Sequence, residues 1–145
     1  RLTGFYRACD ELGLEIPEEY VREGVYHDPD RCAELTQELL KLEVPPTCIL
    51  MPDDISSIGG GNAIRRMGLR LPGDVSAAGY DGIQLSSVMN PPLTTYRQDT
   101  QALGKTAAAK LIELIEKPRT ALVDRILIPG RLVEGASVQA IEPQE

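Results

Sequence analysis

The chain predicts an α/β domain built on a parallel sheet, on three observations. Strand-like and helix-like runs alternate along its 145 residues. The run Thr47 to Met51 is almost continuously apolar, as in a strand covered on both faces. The stretch from Leu71 to Asp99 then places a helix exit, a buried strand ending in a carboxylate, and a double-proline crossover in that order.

Taken in order, Gly4 to Leu12 reads as a helix because Phe5, Ala8, Cys9 and Leu12 recur at spacings of three and four, and Gly13 supplies a stop. Tyr20 to Tyr26 is short and β-prone. Asp28-Pro29-Asp30 is a strong helix start, since Asp caps the free amides and Pro is tolerated in the first turn. Cys32, Leu35, Leu39 and Leu42 continue that helix on one apolar face until Pro45-Pro46 ends it. After the Thr47 to Met51 strand, Asp53-Asp54 opens a helix over Ile55 to Met67, with Gly68 as its exit. Val75 to Tyr80 is the next strand and Asp81 its last position. Beyond Pro91-Pro92, Thr100 to Glu116 is a helix carrying Leu103, Ala107, Leu111 and Leu114 on one side. Arg125 to Ile128 and Arg131 to Val133 make a final strand pair, or one strand broken at Pro129-Gly130. Strand–helix alternation of this kind means a parallel sheet, whose ligands lie beyond the carboxyl ends of the strands. Asp53 and Asp81 both stand at such ends.

Composition narrows the function. Apolar residues are 42% and charged residues 26% of the chain, enough for one globular domain with a core. No apolar run approaches the roughly 18 residues of a membrane span, and the N-terminus lacks the order of a signal peptide, so a cytoplasmic protein with no membrane contact is expected. Arg1 in place of Met points to a piece of a longer protein. The net charge is −7, and Arg65, Arg66 and Arg70 are the one basic cluster, too little to hold DNA by counterion release. Cys9, Cys32 and Cys48 are odd in number and lack a C-x-x-C, which favours buried reduced thiols over a disulfide framework or a zinc site.

Catalytic patterns are missing from the sequence. His27 is the one histidine, and neither Ser76 nor Cys48 has a base in evident reach. His27 reads instead as an exposed loop residue. Asp53 and Asp54 are adjacent, so they point to opposite faces and do not share a metal ion. Gly59-Gly60-Gly61-Asn62 lacks the Gly-Lys-Ser/Thr end of a phosphate loop. Inside a helix those glycines cost about 1 kcal/mol each relative to Ala, a cost that close helix packing would offset. No enzyme activity, cofactor or metal is expected.

Asp53-Asp54-Ile55, Ile58-Gly59, Gly68-Leu69-Arg70-Leu71-Pro72, Asp74-Val75-Ser76, Gly79-Tyr80-Asp81, Pro91-Pro92-Leu93-Thr94-Thr95 and Gln98 together resemble the effector domain of the LacI/GalR transcriptional regulators. Arg1-Leu2-Thr3-Gly4-Phe5 is similar to that family's R-x-x-G-[FW]. The resemblance covers nearly the whole chain. It implies a periplasmic-binding-protein-like (type I) fold of two lobes joined by three crossovers, here mostly the C-terminal lobe with the first lobe incomplete. Residues 1–90 would be most of the second lobe, 91–124 a crossover and helix returning to the first, and 125–145 the return strands and tail. A piece of this kind leaves a lobe-facing surface uncovered, so oligomerisation or low stability is expected of it alone.

By the same resemblance the effector would be held by Arg1, Tyr26, Asp53, Asp81 and Gln98. Arg1 offers a fork of donors, Asp81 accepts from paired hydroxyls, and Tyr26 gives a stacking face. Asp53 departs from the family's Asn, accepts only, and so calls for a ligand that presents donors; Asp54 reads as a helix cap or a lobe-scaffold residue. A homodimer interface would be built from Ile55, Gly59, Leu85, Val88 and Met89. The implied function is an effector-binding and dimerisation domain, usually of a repressor. A sugar or polyol between the lobes selects one interlobe angle, and operator DNA is met only through a helix-turn-helix outside these residues. Two rivals stand beside it. One is a periplasmic sugar-binding protein of a transporter; the other is a doubly wound enzyme.

Overall fold

A computed structural model describes residues 1–120 and 125–140. The expected end of the crossover at 124 and the last tail residues, 141–145, lie outside the described residues. Among the described residues, four α-helices, α1 (Leu2–Leu12), α2 (Pro29–Leu40), α3 (Asp54–Arg66) and α4 (Thr100–Glu116), accompany four strands, β1 (Cys48–Leu50), β2 (Ser76–Asp81), β3 (Thr94–Arg97) and β4 (Arg131–Val133). The sheet order is β1-β2-β3-β4. The first three strands run parallel, with Ile49 opposite Ala77 and Tyr80 opposite Tyr96. Strand β4 is antiparallel to β3, so the sheet is mixed rather than wholly parallel.

Local chemistry sets the helix ends. Asp28 accepts the Arg31 amide at the start of α2, and Asp99 accepts the Ala102 amide at the start of α4. Gly13 ends α1 in the left-handed conformation, φ 66°. The core lies between α2, α3 and one face of β1 and β2, where Cys32, Leu39, Leu40, Ile49, Met51, Ile64, Val75 and Ala77 form one cluster. Close approach of the two helices needs the α3 glycines. A Cβ on Gly59 would meet the Pro29 carbonyl, and one on Gly60 would meet the Met51 thioether at 2.4 Å. Gly59 is therefore buried inside the fold and is not the dimer-interface residue expected of it.

Four further expectations are corrected. Residues 21–25 form no strand, because a strand needs a ladder and no described neighbour pairs with them. Strand β1 is covered on one face only; Ile49 is buried while Cys48 and Leu50 are exposed, as alternation dictates at an edge strand with helices on one side. Cys48 is thus an exposed free thiol, unlike the buried Cys9 and Cys32. Arg125 to Ile128 forms no strand either; the ladder begins at Arg131, beyond the Gly130 amide that bonds the Tyr96 hydroxyl.

The chain's final described segment laces the amino ends of the strands. Ser137 is fully buried; its hydroxyl donates to the Ala77 carbonyl and accepts from the Thr94 amide, and its carbonyl accepts the Ala77 amide. Nothing in the sequence marks Ser137 for this role. Strand β3 was also not legible, since Pro91-Pro92 reads only as a crossover, and its pairing with β2 lies thirteen or more residues away along the chain.

Candidate effector site

The carboxyl ends of β1 and β2 face an open cleft of about 490 Å³ lined by Arg1, Tyr26, His27 and Asp81. Asp81 closes β2 in a left-handed conformation, φ 106°, followed by Gly82 at φ 67°. That turn holds the carboxylate at the strand's end, 19% exposed. Its Oδ1 accepts from Arg1 Nη2 at 2.9 Å and from Gln98 Nε2 at 2.6 Å. Arg1 also donates through Nη1 to the Pro52 carbonyl at 2.6 Å, which ties the start of α1 to the end of β1. Three of the expected residues, Arg1, Asp81 and Gln98, are thus brought into one hydrogen-bonded group.

Aromatic rings frame the guanidinium. Its carbon stands 4.0 Å from the Tyr80 ring centroid and 5.1 Å from that of Tyr26, inside cation–π range. Tyr80 in turn stacks on Tyr96, its cross-strand neighbour, at 5.4 Å. Tyr26 is 59% exposed and lines the cleft. Tyr80 was not identified from sequence, although its place one residue before Asp81 puts it at the same strand end.

Of the two adjacent aspartates, Asp54 takes the scaffold role that the sequence offered beside a cap. Asp53, not Asp54, is the N-cap of α3. Its Oδ1 accepts the Ser56 amide at 2.8 Å, and its Oδ2 accepts the Ser56 hydroxyl at 2.8 Å and the His27 amide at 3.0 Å. With no exposed surface, this carboxylate is consumed internally, so the expected direct ligand contact is replaced by a support for the cleft's His27 loop. Burial pushes its carboxyl up, but the hydrogen bonds from His27 and Ser56 outweigh that and hold it below the usual aspartate range. Asp54 is also buried; it accepts the Thr95 hydroxyl at 2.6 Å and the Ile83 amide at 2.9 Å. It therefore ties α3 to β3 and to the loop after Gly82.

His27 is the exposed loop residue expected, its side chain 62% exposed. Its Nε2 lies 4.0 Å from Asp81 Oδ2. Among the described residues, no group of three or more His, Cys, Asp or Glu is placed to hold a metal ion, and no helix is long and apolar enough to cross a membrane. A second cleft of about 350 Å³, lined by Thr47, Asp74, Ser76 and Gln139 among others, lies at the amino ends of the strands. The first cleft is favoured for ligand because it combines the carboxyl-end position with converging polar groups and an aromatic face.

Of the expected interface residues, Leu85 and Val88 are exposed, 46% and 72%, on and just after the 3-10 turn Gln84–Ser87. Met89 and Ile55 are half-buried.

Residues 1–138 match the periplasmic binding protein-like domain family. The HTH-type transcriptional repressor PurR of Aliivibrio salmonicida is 36% identical over 116 residues, 80% of this chain and 34% of that protein. PurR of Escherichia coli O1:K1 is 34% identical over 138 residues, 95% of this chain and 40% of that protein. The chain thus spans between a third and two fifths of the length of these curated relatives. Among solved structures, one described as transcriptional regulator LacI from Bacillus cereus subsp. cytotoxis superposes with a TM-score of 0.91 at 27% identity, covering 97% of this chain and 49% of that one. The lac repressor dimer bound to operator and the anti-inducer ONPF superposes at 0.86 with 31% identity, covering 97% and 47%. Matched by the family model over residues 1–138, the chain belongs to the periplasmic binding protein-like domain family, and the relatives it resembles here are transcriptional regulators.

Proposed function

We propose that these residues are most of the C-terminal lobe of the effector-binding domain of a LacI-type transcriptional repressor. The observation that carries the reading is the Arg1–Asp81–Gln98 group beside the exposed ring of Tyr26 at the carboxyl ends of β1 and β2. Donors and acceptors alternating next to an aromatic platform suit a sugar or polyol, whose hydroxyls both give and accept and whose C–H face stacks. Residues 1–90 then form most of the lobe, Thr94–Arg97 and residues 131–139 complete its sheet, and α4 leads toward the other lobe. Ligand held between lobes shifts the protein toward one interlobe angle, to the extent that it binds the two angles with different affinity. Operator DNA is met through a helix-turn-helix outside this chain, in keeping with the net charge of −7. Homodimerisation uses Leu85, Val88, Met89 and Ile55.

The transporter-component reading shares the fold, but the regulators among the relatives weigh against it. The test is fluorescence anisotropy of the intact protein on DNA from its own promoter, with and without sugars at fixed salt. Binding that one sugar shifts supports the regulator. Tight sugar binding by a protein that ignores DNA under every condition points to transport instead.

A further inference from the structure

Among the described residues, two that are not glycine have a positive φ: His27 at 58° and Asp81 at 106°. They come from segments more than fifty residues apart, yet they face each other across the same cleft with Nε2 and Oδ2 4.0 Å apart. Backbone of this kind is costly for residues with a Cβ and persists where the surroundings over-determine it. Here they do. The buried Asp53 carboxylate anchors the His27 amide at 3.0 Å, while Arg1 and Gln98 both engage Asp81 Oδ1. Those bonds leave Oδ2 with His27 as its near neighbour. The separation is too long for a direct hydrogen bond, but an oxygen standing about 2.8 Å from both atoms fits between them.

The geometry points to His27 as a specificity-determining contact that, with Asp81 Oδ2, clamps a single hydroxyl of the effector. The hydroxyl donates to Asp81 Oδ2 and accepts from the imidazole Nε2–H. This rests on the reading of the cleft as the effector site and adds to it a stated group on the ligand. A ligand lacking that hydroxyl leaves both atoms unpaired on binding, and discrimination of this kind is stronger than a pocket obtains from shape alone. Held in a left-handed backbone, His27 also serves the fold poorly, which separates its two roles. Glycine takes this conformation freely, so His27→Gly relaxes the backbone while removing the imidazole.

The experiment is titration calorimetry of the intact protein with D-glucose, D-galactose and D-ribose, each beside its mono-deoxy analogues. Wild type is compared with His27→Gly, His27→Asn and Arg1→Ala, with a thermal melt of each. Asn is the second choice because its short polar side chain tolerates the left-handed region. The expected result is one sugar whose affinity falls about tenfold in both His27 variants. The same loss appears on removing one particular hydroxyl, and there is no further loss when variant and deoxy sugar are combined. The His27→Gly melting temperature is unchanged or higher. Sugar binding that Arg1→Ala weakens but both His27 variants leave intact overturns this inference alone. Independent, additive losses from the variants and every deoxy sugar overturn it too. No binding of any of these sugars by wild type overturns the sugar-binding reading of the cleft and the inference with it.

Discussion

Asp81 shows how one residue becomes a site. Its position at the end of β2 follows from the strand, but the role proposed for it depends on Arg1 and Gln98 loading Oδ1 and leaving Oδ2 unshared with them. Asp81→Asn keeps the shape and loses the charge. It should weaken effector binding roughly 10- to 100-fold, the range for charge-assisted hydrogen bonds, with an unchanged far-UV circular dichroism spectrum. An affinity within twofold of wild type in calorimetry would remove Asp81 from the site. Asp74 illustrates the opposite case, a carboxylate whose partner is structural. The side-chain hydrogen bonds from Arg70, joined by the Arg70 amide, lower its pKa to about 2. Its folded value lies below the ordinary value of about 4, so whatever stability it contributes is fully present above that value and is lost as pH falls through about 2. Carboxyl NMR should find the Asp74 midpoint near 2, and Arg70→Ala should move it up toward the ordinary value. A midpoint insensitive to Arg70 would contradict the pairing.

At the scale of elements, the glycines divide by what surrounds them. Gly59 faces the Pro29 carbonyl at the α2–α3 contact, with no room for a methyl group. Gly104, within α4, has nothing within 4 Å of where a Cβ would stand. Gly59→Ala should therefore destabilise the fold by about 1–3 kcal/mol through overpacking, while Gly104→Ala should stabilise it by about 0.5–1 kcal/mol through helix propensity. Urea unfolding of the two variants checks both signs; a neutral Gly59→Ala would mean that α2 and α3 can separate at no cost. The α3 start shows how element and site are coupled. One turn of backbone carries Asp53, which holds the His27 loop, and Asp54, which holds β3 and the loop leading to Leu85. The sequence placed both carboxylates at that helix start but left Asp54 between cap and scaffold and did not name Asp53 as the cap. An Asp-Asp pair before an apolar run offers two candidate caps, and only backbone geometry selects the residue in extended conformation, here Asp53 at φ −161° and ψ 169°.

For the whole molecule, the distribution of exposed apolar surface carries the argument. Helix α4 has no buried residue, and Leu111, Ile112 and Ile115 are each more than half exposed. Its periodicity was legible, yet the face that periodicity describes has no cover among the described residues, which agrees with a helix directed toward the other lobe. Leu85 and Val88 form a separate exposed pair. Leu85→Asp should weaken self-association of the intact protein at least tenfold in sedimentation velocity, because a buried unpaired carboxylate is costly, while effector affinity stays within twofold. An unchanged sedimentation profile would remove this turn from the interface.

The helices, the Asp28 cap, the Gly13 stop and the strand-end aspartates could be read from the chain because each depends on chemistry within about four residues: an Asx side chain on a nearby amide, a spacing of three and four, a glycine with positive φ. The family could be read because its motifs are runs of such local features at set distances. Tertiary structure alone decided which residues meet. Arg1 and Asp81 are joined across 80 positions and His27 and Asp53 across 26. It also decided which face of β1 is covered, that residues 94–97 pair with β2, and that Gly59 is spent inside the fold rather than between subunits. These outcomes depend on burial and on ladder partners, which are properties of the neighbours a residue acquires on folding and are not written in its own stretch of sequence.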